Sequence, residues 1–128
     1  MARSVLLQLA RDSIEEVLEA KRKIDKKSLI SKHPLLTQNV KTDVKIYLKN
    51  KLRGRSSIYN DDTSLIEDII LNAKKAAFED HNFTPISASE YLECEIKLEL
   101  KTPDGIISEK DPSIMSTTDY SIEKEINK

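Results

Sequence analysis

The sequence predicts a single α+β domain. Three observations carry that reading: an apolar stripe at helical spacing from Val5 to Leu18, a second one after Ser64, and a run from Cys94 to Lys101 that alternates apolar with charged residues. A period near 3.6 buries one stripe of a helix and a period of two buries one face of a strand, so all three segments need a shared core. At 128 residues the chain falls in the size range of one domain.

In the first helix Val5, Leu6, Leu9, Ala10, Ile14, Val17 and Leu18 share a face opposite Gln8, Arg11, Asp12, Glu15, Glu16 and Glu19. The polar Lys21–Lys27 stretch follows, and Pro34 forces a break because it lacks an amide donor and restricts the residue before it. Between Thr42 and Lys49, Val44, Ile46 and Leu48 alternate with Lys45, Tyr47 and Lys49, the pattern of a half-buried strand. A polar stretch then runs from Asn50 to Asp62, with Ile58 and Tyr59 leaving room for a short second strand. Ser64 and Glu67 have the spacing of a capping box and open a helix that ends near Asp80. Ser87 and Glu90 repeat the spacing, which predicts a helical turn to Leu92 after Pro85. Cys94, Ile96, Leu98 and Leu100 point one way from the next strand, and Thr102-Pro103-Asp104-Gly105 forms a turn before Ile106 and Ile107. From Ser108 to Lys128 apolar residues are too sparse to offset the entropy of ordering them, with at most a marginal helix over Tyr120–Lys128. The expected division is therefore a domain over 1–107 and a flexible polar tail over 108–128.

Composition excludes several classes. Lys+Arg 21 against Asp+Glu 22 leaves a formal net charge of -1, so no overall field holds the chain on nucleic acid or anionic lipid, although Lys21–Arg55 is locally basic. The single cysteine rules out an internal disulfide and a multi-thiolate metal site within one chain. No signal-peptide pattern is present and no run approaches the ~20 apolar residues that span a bilayer, so no membrane association and a cytoplasmic location are expected. Gly 2 and Trp 0 leave neither a phosphate-cradling loop nor a stacking platform for single strands, so no cofactor and no nucleic acid are expected.

Leu6-Leu7-Gln8-Leu9-Ala10-Arg11-Asp12-Ser13-Ile14, then Leu52-Arg53-Gly54, then Ala73-Lys74-Lys75-Ala76-Ala77-Phe78-Glu79-Asp80-His81-Asn82-Phe83, in that order and spacing, resemble the AMMECR domain family. The resemblance extends from about Leu6 to Pro103. It implies an antiparallel sheet flanked by amphipathic helices, in a family often encoded beside a Memo-like protein and a radical SAM enzyme, the AmmeMemoRadiSam grouping. Arg55 stands where that family has a cysteine, Ser56 and Ser57 replace its isoleucine and glycine, and Asn82 replaces an arginine. Family members also continue into further strands and a helical C-terminal half, where this chain has Ser108–Lys128. Losing that half is expected to expose an apolar sheet face, and a homodimer through that face is the corresponding expectation.

The ligand-binding candidates are Arg53, Gly54, Arg55, Asp80 and His81. Two guanidinium groups around a glycine suit bidentate capture of a carboxylate or phosphate. For Arg53 that reading stands beside a plain turn with a solvated arginine, and for Arg55 the turn is favoured. Asp80 beside His81 offers proton transfer, against the reading of a surface pair near a helix end. Cys94 reads as core rather than as a nucleophile, Asp61 and Asp62 as loop residues, and His33 has no partners at ligand spacing, so no metal is expected.

No catalytic residue is singled out, and three functions follow. The first is a binding or accessory module acting with partner proteins, Memo-like and radical SAM-type proteins among them. The second is an enzyme component that takes a small anionic or aromatic substrate near the Leu52-Arg53-Gly54 motif. The third is a degenerate relative with no activity of its own.

Overall fold

A computed structural model describes residues 4–57 and 62–114. Ser4 Oγ accepts the amide of Leu7 at 3.2 Å and opens α1 (Val5–Glu19), which ends at Ala20 in the left-handed region, φ 51°. α2 (Lys26–Lys32) and a 3-10 turn (Pro34–Thr37) lead into β1 (Lys41–Leu48). Lys49 and Asn50, both at positive φ, close a tight hairpin to β2 (Lys51–Ser56). Then come α3 (Leu65–Phe78), α4 (Ala88–Glu93), β3 (Cys94–Thr102) and β4 (Gly105–Asp111). The four strands form one antiparallel sheet in the order β2-β1-β3-β4.

α3 packs over β1 and β2, and α1 lies beside α3 toward β4, so both helices cover the same face. Leu9, Ile14, Val44, Ile46, Ile66, Ile69, Ile96 and Leu98 meet there, each no more than 2% exposed. Burying one such side chain contributes about 1.5–3 kcal/mol, which makes this cluster the main source of stability. The register places Val44 opposite Leu98 and Ile46 opposite Ile96, as their alternation predicts.

The other face is charged. Lys45 lies opposite Lys97 and Asp43 opposite Glu99, a pairing of like charges that a diagonal bond relieves: Lys45 Nζ reaches Glu99 at 3.0 Å. Among the described residues helices cover most of one side and charged side chains lie on the other, so only the β4 end of the apolar face expected to lie open is uncovered. On the sheet the most exposed apolar side chains are there: Ile107, opposite the core residue Leu100, is 54% exposed and Ile106 62%.

Several expectations need correction. Polar Lys51–Ser56 is itself the second strand, because an edge strand needs main-chain pairing to β1 more than apolar side chains. Ile58 and Tyr59 lie outside the described residues, as do Asp61 and the Tyr120–Lys128 segment. α2 starts at the end of the stretch read only as polar, at Lys26 and Lys27, and runs on to Lys32 through residues given no element. Ser64 caps α3 without the side-chain bond of a capping box, since Glu67 turns instead to Lys26 at 2.8 Å; the Ser87–Glu90 box does form. Ser108–Asp111, assigned to the tail, is strand, because Asp111 turns inward to a buried arginine.

Candidate functional site

That arginine is Arg11, fully buried on α1. Its Nε donates to Asp111 Oδ2 at 2.6 Å, and Nη2 donates to the carbonyls of Cys94 at 3.0 Å and Pro112 at 3.1 Å. The guanidinium also lies 5.1 Å from the centre of the Tyr91 ring. One side chain thus ties the first helix to the start of β3 and the end of β4, which makes it a clasp rather than a ligand site.

The register of β2 slips between Ile46 and Tyr47, so Arg53 is an extra, bulged residue. A bulge re-aims its side chain, and here it turns Arg53 toward α4. Nε and Nη2 donate to the two oxygens of Glu90 at 3.1 and 3.2 Å, and Nη2 also reaches Thr84 Oγ1 at 3.3 Å. The guanidinium lies 5.7 Å from the centre of the Phe83 ring. Arg53 beside it holds the Glu90 carboxyl below its ordinary value.

Gly54 does not supply a turn. It is a strand residue with no positive φ, and an added Cβ would land on the main-chain carbonyl oxygen of Ala76. The glycine is needed because α3 crosses β2 at backbone contact.

Arg55 binds through two groups. Its amide donates to Asp80 Oδ2 at 3.0 Å and its Nη2 to Asp43 Oδ2 at 3.1 Å. Asp80 Oδ1 also accepts the amide of Asn82 at 2.9 Å, so this carboxylate pins the turn after α3 to the end of β2. His81 next to it is exposed.

An open cleft of about 680 Å³ lies between these parts, lined by Arg55, Asp80 and His81 together with Lys75, Phe78 and Phe83. Three of the five candidates therefore meet at one cleft; Arg53 and Gly54 do not line it. Of its cations, Arg55 is paired with Asp43 and Lys75 with Glu79, which also lines the cleft.

A buried polar network behind the cleft has no counterpart in the sequence reading. Ser56 Oγ donates to Asn72 Oδ1 at 2.7 Å, Asn72 Nδ2 donates to Thr42 Oγ1 at 3.0 Å, and Thr42 donates through its amide and hydroxyl to Asp68 Oδ2 at 3.1 and 3.0 Å. Burial pushes the Asp68 carboxyl above its ordinary value despite those two bonds. The signal for it was Ser56 at a position where the resembled motif has isoleucine.

Cys94 is buried, and desolvation pushes its thiol up to about 11, so it is no thiolate at neutral pH. Among the described residues no cluster of three or more His, Cys, Asp or Glu is placed to hold a metal ion, and no helix is long and apolar enough to cross a membrane.

The family model of AMMECR1 matches residues 7–119. Among solved structures, the uncharacterized protein PH0010 from Pyrococcus horikoshii is similar with a TM-score of 0.65 and 27% identity, over 77% of this chain and 50% of that one. The chain thus spans about half the length of that neighbour. No curated protein matches it.

Proposed function

For a chain that belongs to the AMMECR1 family, we propose the role of a binding or accessory module that acts with a partner protein in a Memo-like and radical SAM-associated system. The observation behind this reading is how the motif charges are occupied. Arg53 is closed by Glu90, and both oxygens of Asp80 hold main-chain amides, so the groups best suited to chemistry are bound into the scaffold. The test is co-elution of the purified protein with a Memo-like protein and with a radical SAM enzyme from the same source in gel filtration. The expected result is a shared peak with one of them; separate elution of both, together with no reproducible partner from native lysate, would overturn the proposal.

The cleft favours a second reading, an enzyme component that takes a small anionic or aromatic substrate beside Arg55 and His81. Benzoate is a suitable probe. Amide shifts in NMR confined to Arg55, Asp80, His81 and their neighbours would support it, and no shift at millimolar benzoate would remove it.

A further inference from the structure

β4 ends the sheet order, and among the described residues no strand pairs with its outer side. Such an edge presents unpaired main-chain donors and acceptors, which soluble proteins commonly protect with a bulge or a proline. β4 has neither: its seven pairs with β3 run from Thr102–Gly105 to Ile96–Asp111 without a slip, and its sequence contains no proline. Two successive isoleucines stand there instead. Ile107 lies on the helix side, opposite Leu100, and Ile106 on the charged side, opposite Lys101, so an exposed apolar side chain flanks the edge on each face.

The charges along this hairpin arm are Asp104, Glu109, Lys110 and Asp111. Asp111 is committed to Arg11 inside the fold. Lys110 lies opposite Lys97, and its contact with a carboxylate is a long one, Nζ to Glu95 at 3.7 Å. Asp104, in the turn, is exposed and makes no ion pair among the described residues. It is six positions from Lys110 along the same arm, roughly 20 Å in extended chain, so the two cannot meet within one copy.

We infer that β4 pairs antiparallel with β4 of a second copy, about a two-fold axis at Ile107. Such a pair sets each residue against one on the same face of the other copy, so the axis passes through a residue. With the axis at Ile107 the two Ile107 side chains meet, Ile106 meets Ser108, and Asp104 comes level with Lys110, the last two contacts made twice. Glu109 meets Gly105, so no like charges are opposed. Moving the axis to Ser108 sets Glu109 against Ile107 and Lys110 against Ile106, and moving it to Glu109 or Lys110 sets like charges against each other. With the axis at Ile106, Asp104 faces Ser108 and Lys110 faces Thr102. Of these registers the one at Ile107 matches apolar with apolar and opposite charge with opposite charge, and that self-complementarity selects a second copy as the occupant. The pairing is of the chain with itself and needs neither the Memo-like nor the radical SAM protein.

The test is light scattering of the full chain across the micromolar range. A seven-residue edge is small beside a standard interface of roughly 1,200–2,000 Å², so the dimer is expected to dissociate within that range. Ile107→Lys puts two ammonium groups on the axis and is expected to leave a monomer. Asp104→Lys alone and Lys110→Asp alone each oppose like charges twice, and each is expected to weaken the dimer roughly tenfold. The two together exchange the charges and are expected to restore it, whereas damage to the hairpin would accumulate in the double variant. The mass of the natural chain keeps the test decisive should a variant misfold. A monomer throughout the range overturns the inference and gives the edge to residues 115–128 or to a strand of another protein. A dimer indifferent to Ile107→Lys, single reversals without effect, or a double exchange no better than either single reversal would overturn it as well.

Discussion

Arg11 is buried at 0% exposure, so its charge depends on the Asp111 carboxylate. Removing one partner of such a pair leaves an unmatched buried ion, and Asp111→Ala is expected to cost about 3–5 kcal/mol in urea denaturation. Gly54→Ala is expected to cost about 1–3 kcal/mol or more by the same measurement, because its methyl meets a helix carbonyl that has no side-chain torsion to yield. Glu90 gives a pH signature. Its folded-state value lies below the ordinary 4.5, so the bond to Arg53 stabilises above pH 4.5 and is lost as pH falls through the lowered value. The Tm gap between the native protein and Glu90→Gln is therefore expected to be open at pH 7 and to close in acid; a gap that widens on acidification would contradict the pairing.

Elements were legible in the sequence where one face is apolar. α1, α3, β1 and β3 each carry a stripe or an alternation, and each forms where that pattern predicts. On α1, however, Arg11, read as part of the polar face, is fully buried by its pairing with Asp111, and Val17, read as part of the apolar face, is exposed. α2 was not legible because no residue on it is buried, and β2 was not because an edge strand with charged residues on both sides of Gly54 has no alternation to read. The end of α1 illustrates a cost the pattern does not show: Ala20 occupies the left-handed region at φ 51°, a conformation in which its methyl crowds the backbone. Ala20→Gly is expected to raise stability by about 0.5–1 kcal/mol in urea denaturation, since relief of that strain outweighs the entropy of the glycine.

For the whole molecule, the order of motifs located the neighbourhood of the candidate site but not its geometry. Arg53 is aimed by a one-residue bulge and Asp80 by two main-chain donors, and neither leaves a mark on residue spacing. Cys94, in contrast, was correctly read as core from its place in the β3 alternation. Its thiol is expected to resist aromatic disulfide reagents in the native protein and to react only as fast as the domain opens, with urea accelerating the reaction in step with loss of ellipticity. The Arg11–Asp111 clasp joins residues 100 positions apart, so it can close only when both ends of the domain are present. A nascent chain on the ribosome carries a guanidinium with no counterion until β4 has left the exit tunnel. Synthesis that stops short of Asp111 therefore leaves the first helix packed on α3 without this latch.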